Sequence, residues 1–117
     1  MLNFTGSLKV YLAVEAADLR KSFTGLYALA SNVLKEDPQS GALFVFCNRR
    51  RNRVKVLYWD GTGLWVMTKR LEKGTFSWPR AVAVDNGKLE LCPEALSLLL
   101  EGVDMRDGAL RPWYQRS

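Results

Sequence analysis

ALFVFCNRRRNRVKVLYWDGTGLWVMTKRL, residues 42–71, is the stretch on which the architecture turns. ALFVFC is a short continuous apolar run of the kind that fills a strand buried on both faces. The polar NRRRN interrupts it, and RVKVLYWD then resumes with the β-branched and aromatic content of a strand. Asp60-Gly61-Thr62-Gly63 supplies residues that tolerate positive φ, so a second reversal follows at once, and LWVMTKRL is strand-like again. Together these segments predict a three-stranded antiparallel meander with an arginine-rich turn at one end.

Toward the N-terminus, LKVYLAV (8–14) has the length and composition of a first strand, although so short an apolar run leaves a helix open. Asp18 then precedes a segment in which Leu19, Phe23, Leu26, Tyr27, Ala30, Val33 and Leu34 recur at helical spacing. This predicts an amphipathic helix capped by Asp18, with Phe23 and Leu26 facing the sheet, that stops near Glu36 because Pro38 cannot continue it. Toward the C-terminus, residues 72–75 make a turn, and Phe76, Trp78 and Pro79 read as an edge segment. AVAV and KLEL flank Asp85-Asn86-Gly87, whose Asn-Gly pair favours a tight hairpin. Pro93 opens a short helix with Leu96, Leu99 and Leu100 on one face and Gly102 at its end.

The fold expected is α+β: an antiparallel sheet, built from the meander and the hairpin, with two helices packed on one face. At 117 residues, 48% hydrophobic, the chain has the apolar content of one compact domain. We place that domain at 1–106 and expect 107–117 to form a loose C-terminal tail, since it mixes Gly, Pro, Arg and Trp without periodicity. The N-terminal residues show no basic leader before an apolar core and no run long enough to cross a bilayer, so a soluble cytoplasmic protein without membrane contact is expected.

Catalysis has little support in the composition. There is no His, the commonest general base near neutral pH. Cys47 and Cys92 stand far apart without a CxxC pair, so the usual zinc ligand sets are missing, and Cys47 in its apolar run reads as core. Asp18, Asp37, Asp60 and Asp85 fall at turns or helix ends, where Asp is favoured for local hydrogen bonds to the backbone. Ser40-Gly41 and the 60–63 turn lack the spacing of a phosphate-binding P-loop. No enzyme activity and no cofactor are expected.

The charge distribution says more. The net charge is +5. Residues 49–73 hold eight basic groups (Arg49, Arg50, Arg51, Arg53, Lys55, Lys69, Arg70, Lys73) against Asp60 and Glu72, a sum of +6, and the rest of the chain sums to −1. Several guanidinium groups thus project from one hairpin, where planar bidentate donors suit phosphate and release its counterions. A charged turn that only blunts an exposed hairpin is the plainer alternative. Four arginines within five positions raise self-repulsion, however, and this favours a binding role, with nucleic acid ahead of an acidic protein surface. Trp59, Trp65 and Trp78 are candidates for stacking on unpaired bases, but aromatics in strands are more often core. Arg20 and Lys21, in what reads as the first turn of a helix, oppose its dipole. Either Asp18 and Glu15 compensate them locally or a phosphate binds there.

DLRKSFTGLYAL (18–29) and DPQSGALFVFCNRRRNRVKVLYWDGTGLWVMTKRLEKGTFSWP (37–79) resemble the short accessory protein, TnpB, of the insertion sequences of the sixty-six family, over roughly residues 5–106. This is not the RNA-guided nuclease of the same abbreviation. Ser22 and Thr24 stand where members of that family often have Gly and Asp, and Cys92 where Ser or Thr often precedes the last helix. The resemblance implies participation in transposition beside a separate, larger transposase that carries the catalytic triad. It transfers no site residues. The sequence thus points to a nonenzymatic accessory factor that contacts transposon DNA, at the transposon ends, through the arginine hairpin. The alternative is an adaptor that docks onto the transposase without touching DNA.

Overall fold

The computed structural model describes residues 8–79 and 87–102. Five strands form one sheet: β1 (Val10–Ala13), β2 (Leu43–Cys47), β3 (Arg53–Trp59), β4 (Leu64–Arg70) and β5 (Lys88–Leu91), in the order β4-β3-β2-β1-β5. The meander is as expected, with β2 antiparallel to β3 from Leu43↔Tyr58 to Cys47↔Val54 and β3 antiparallel to β4 from Arg53↔Arg70 to Trp59↔Leu64. KLEL forms β5, antiparallel to β1 at the other end of the sheet. Its expected hairpin partner, AVAV at 81–84, and the tail at 107–117 lie outside the described residues.

The α+β class holds and the sheet is mostly antiparallel, but β1 and β2 run parallel, in register from Val10↔Leu43 to Leu12↔Val45. Their connection carries the first helix, as a parallel pair requires a crossover. That helix is shorter than its periodicity suggests: α1 spans Phe23–Ala28 and passes into a π-helical stretch, Leu29–Val33. Lys35, at φ 60°, ends it in the left-handed region ahead of Pro38. Asp18 is not its cap. The helix begins five residues later, after Ser22, and Asp18 instead closes a turn by accepting from Arg20 N at 3.0 Å. Arg20 and Lys21 therefore precede the helix, and Asp18 compensates Arg20 locally through an ion pair at 2.9 Å. Gly25 lets the turn lie against the helix, since a Cβ there would stand 2.7 Å from Lys21 Cβ.

The two helices pack on opposite faces of the sheet, not on one. Leu26, Ala30 and Leu34 meet Ala13, Phe44, Phe46 and Leu57 on the first face, where Tyr11 stacks on Phe44 at 5.7 Å. The second helix, α2 (Pro93–Leu100), brings Ala95, Leu96 and Leu99 onto Val10, Leu12, Val45 and Val56 on the other. The physical reason lies in β2, where all five residues are buried. Successive strand residues point to opposite faces, so an unbroken apolar strand needs cover on both. Leu26 is fully buried as expected, whereas Phe23 is 47% exposed because it begins the helix on the outward side of the first turn. Phe76, Trp78 and Pro79 add no edge strand; Phe76 is buried in the α2-side core with Trp78 packed against it. Cys47 is core, as its apolar run indicates.

Candidate nucleic-acid interface

Asn48 and Asn52 build the turn between β2 and β3. Asn48 Oδ1 accepts from Asn52 N at 3.1 Å and Arg53 N at 3.0 Å, and Asn48 Nδ2 donates to Asn52 Oδ1 at 2.7 Å. Asn48 N donates to Arg53 O, and Arg51 N to Asn48 O, both at 3.1 Å. These bonds satisfy the backbone of a loop that the strands cannot, which is the usual service of Asn in a turn. They also force Arg51 to φ 60°, a conformation that costs a residue with a Cβ about 1–2 kcal/mol.

A second loop, residues 15–22, approaches this turn on the α1 side. Ala17 N donates to Cys47 O at 2.8 Å, and Lys55 Nζ, from β3, donates to Lys21 O at 3.0 Å. Between the two loops lies an open groove of about 1010 Å³. Arg20 on one side and Arg49, Arg50, Arg53 and Lys55 on the other are among its lining residues, with Asn48, Asn52 and Thr68 adding polar groups. Arg70 points to the same sheet face, directly opposite Arg53 in the β3–β4 register. Like charges opposed across two strands are unfavourable, and an anion between them would relieve this.

Asp18 is the carboxylate lining the groove, and Arg20 occupies it. Arg20 Nε and Nη2 reach its two oxygens at 3.0 and 2.9 Å, and these bonds hold the Asp18 carboxyl down to about 2. Among the described residues no carboxylate pairs with Arg49, Arg50 or Arg53. All three residues are exposed, and unpaired surface cations attract a polyanion.

Of the eight basic residues singled out in the sequence, the fold gathers Arg49, Arg50, Arg53 and Lys55 at the groove, with Arg70 beside them and ion-paired to Glu72 at 3.8 Å. It sends the others elsewhere. Lys69 points to the α2 face and donates to Leu100 O at 2.7 Å, closing the end of that helix. Lys73 is exposed in the 72–74 bend and does not line the groove. Arg51 turns back onto the protein, its Cζ 5.5 Å from the centroid of the Trp78 ring. Sequence reasoning undervalued Arg20, Asn48 and Asn52. The two asparagines bracketing the arginines are the available signal, whereas Arg20, weighed in the sequence as a phosphate ligand at a helix start, lines the groove from a loop that precedes the helix.

Trp59, Trp65 and Trp78 do not line the groove. Trp78 is half-buried and donates to Ala13 O at 3.1 Å. Trp65, 44% exposed, donates to Asp60 Oδ2 at 2.8 Å. Asp60 also accepts from Thr62 N, Gly63 N and Thr62 Oγ1 at 2.9 to 3.0 Å, and these bonds hold its carboxyl well below the usual range. A carboxylate so engaged is turn chemistry. Among the described residues no group of three or more His, Cys, Asp or Glu is placed to hold a metal, and no helix is long and apolar enough to cross a membrane.

A family model described as "IS66 Orf2 like protein" matches residues 8–109. The uncharacterized protein y4jC of Sinorhizobium fredii is 38% identical over 104 residues, covering 89% of this chain and 86% of its own. The uncharacterized protein y4hO of the same organism is 39% identical over 106 residues, covering 91% and 90%. No solved structure matches the chain.

Proposed function

The chain belongs to the IS66 Orf2-like family of insertion-sequence proteins, and from that premise we propose that it is a nonenzymatic accessory factor of transposition that holds transposon DNA by its phosphate backbone. The observation that carries this is the groove between residues 15–22 and the arginine turn, where, among the described residues, five cations meet a single carboxylate already engaged by one of them. Arg49, Arg50 and Arg53 offer forked donors to phosphate oxygens, and Asn52 and Thr68 add neutral ones. Contacts of this kind fix the position of a duplex without reading its bases, so any sequence preference has to come from another element or from the transposase.

The test is a mobility shift with transposon-end and scrambled duplexes, with and without the transposase of the same element. Binding of both duplexes by the protein alone, abolished by raising the salt, supports the reading; no binding at low salt refutes it. Incubation of labelled ends with Mg²⁺ is expected to give no cleavage. A cut that survives purification and disappears on changing Asp18 or Asp60 would overturn the nonenzymatic part.

One observation favours a second reading, an adaptor docked on the transposase. On the α2 face, an apolar groove of about 350 Å³ runs between the helix and β4, lined by Leu8, Val56, Met67, Leu96 and Leu100. Apolar concavities of this size suit a partner's side chains. Transposase binding that is lost on Met67→Asp, in a protein that never shifts DNA, would put this reading first.

A further inference from the structure

We propose that Arg51, alone among the clustered arginines, is a positioning residue: it fixes the turn that presents Arg49 and Arg50 to the groove and touches no phosphate. The inference rests on the groove being a DNA site and assigns different work to residues that are chemically identical. Arg51 is the residue in the turn with left-handed backbone, at φ 60°. That reversal sends its side chain away from the groove and over Trp78. Trp78 is anchored by its indole N–H on Ala13 O, a carbonyl at the end of β1, so the ring is tied to the sheet. A guanidinium over a fixed aromatic face is a directional contact, because the plane stacks and the charge meets the ring's negative face.

The backbone of the turn is held from the same side. Phe76 N donates to Arg51 O at 2.6 Å, and Leu71 N to Asn52 O at 2.9 Å, so the 71–76 segment brackets the turn. One end of the guanidinium is turned inward. Its Nη1 is buried and has no hydrogen-bond partner among the described residues. The neighbouring Cys47 is fully buried; desolvation raises its thiol pKa, and the Arg51 guanidinium opposes that rise. A phosphate in the groove would have to draw Arg51 off Trp78 to reach it. Arg49 and Arg50 carry no such tether and lie at the surface.

Two properties separate a strut from a ligand. A ligand arginine releases counterions, so removing it makes the salt dependence of binding shallower by about 0.9 per contact. A strut raises the fraction of protein with the turn in place, so removing it lowers that fraction, weakens binding and leaves the slope alone. The experiment compares Arg51→Lys, Trp78→Leu, Trp78→Phe, the double variant Arg51→Lys/Trp78→Leu and Arg50→Ala on one duplex across a salt series, below the melting temperature of each variant. Arg51→Lys keeps the charge and loses the planar stack, and Trp78→Leu removes no charge at all. Both are expected to weaken binding about 2- to 30-fold with the wild-type slope. The double variant is expected to be no weaker than either single one, and Trp78→Phe, which keeps an aromatic face, to recover most of the affinity. Arg50→Ala is expected to change the slope. Wild-type affinity in Arg51→Lys and Trp78→Leu, with both folded, overturns the inference and leaves the groove standing. Wild-type protein that binds no duplex at low salt overturns both.

Discussion

Replacing Arg49 and Arg50 together with Ala removes two of the four cations that the β2–β3 hairpin turns into the groove, and the effect on DNA binding can be worked out in advance. Arg49, Arg50 and Arg53 have no carboxylate partner among the described residues, and Lys55 gives one proton to Lys21 O and keeps two. If each of the four meets one phosphate of a duplex, log K falls against log salt with a slope of about −3.6. A rise from about 50 to about 200 mM salt then weakens the wild type roughly 150-fold. With two contacts left, the slope is about −1.8 and the same rise weakens the variant only about 12-fold. Neither arginine packs in a core cluster, so thermal unfolding should be unchanged and the loss of affinity can be assigned to the charges. Fluorescence anisotropy with labelled transposon-end and scrambled duplexes gives both slopes, and the two sequences should lose affinity alike. A folded double variant with the wild-type slope would refute the assignment of these two arginines to phosphate, whatever its affinity.

Three further outcomes follow from the packing. Leu26→Ala, at a fully buried site between α1 and the sheet, is expected to cost about 2–5 kcal/mol in urea unfolding, while Phe23→Ala should cost clearly less because nearly half of that side chain is already in water; equal costs would mean that the helix is rotated from its described position. Lys88, 12% exposed, donates to Leu34 O at 2.8 Å and pairs with Glu36 at 3.1 Å, so Lys88→Met strands two acceptors at the end of the first helix and should cost about 1–3 kcal/mol; an unchanged denaturant midpoint would show that water replaces the ammonium freely. Asp60 is held below its ordinary value of 3.8, so the stability it adds is present above that value and is lost as pH falls through its folded value. Replacing it with Ala should therefore lower stability at neutral pH and flatten the acid limb of a stability–pH profile, and an identical limb in the variant would count against the four-bond turn.

The apolar and β-branched runs in 42–71 are enough to place β2, β3 and β4, because each strand is bounded by residues whose own side chains make the turn: Asn48 and Asn52 at one reversal, Asp60 at the other. Pro93 and the leucine spacing likewise located α2. What the pattern left out was partnership across distance. The continuous burial of β2 already required cover on both faces, yet which helix covers which face depends on the parallel pairing of β1 with β2, and periodicity does not encode pairing. Asp18 followed by an apolar helical period matches a cap, but its carboxylate serves the Arg20 N–H and guanidinium in a turn, and the helix starts at Phe23. The same limit governs the site. Arg49, Arg50 and Arg51 are one chemical species repeated three times, and nothing local divides them. The division is made by the left-handed backbone that Asn48 imposes at the third and by Trp78, far along the chain, waiting on the other side of the sheet. Charge counting thus finds the basic segment, and a distant aromatic ring separates Arg51 from the arginines that line the groove.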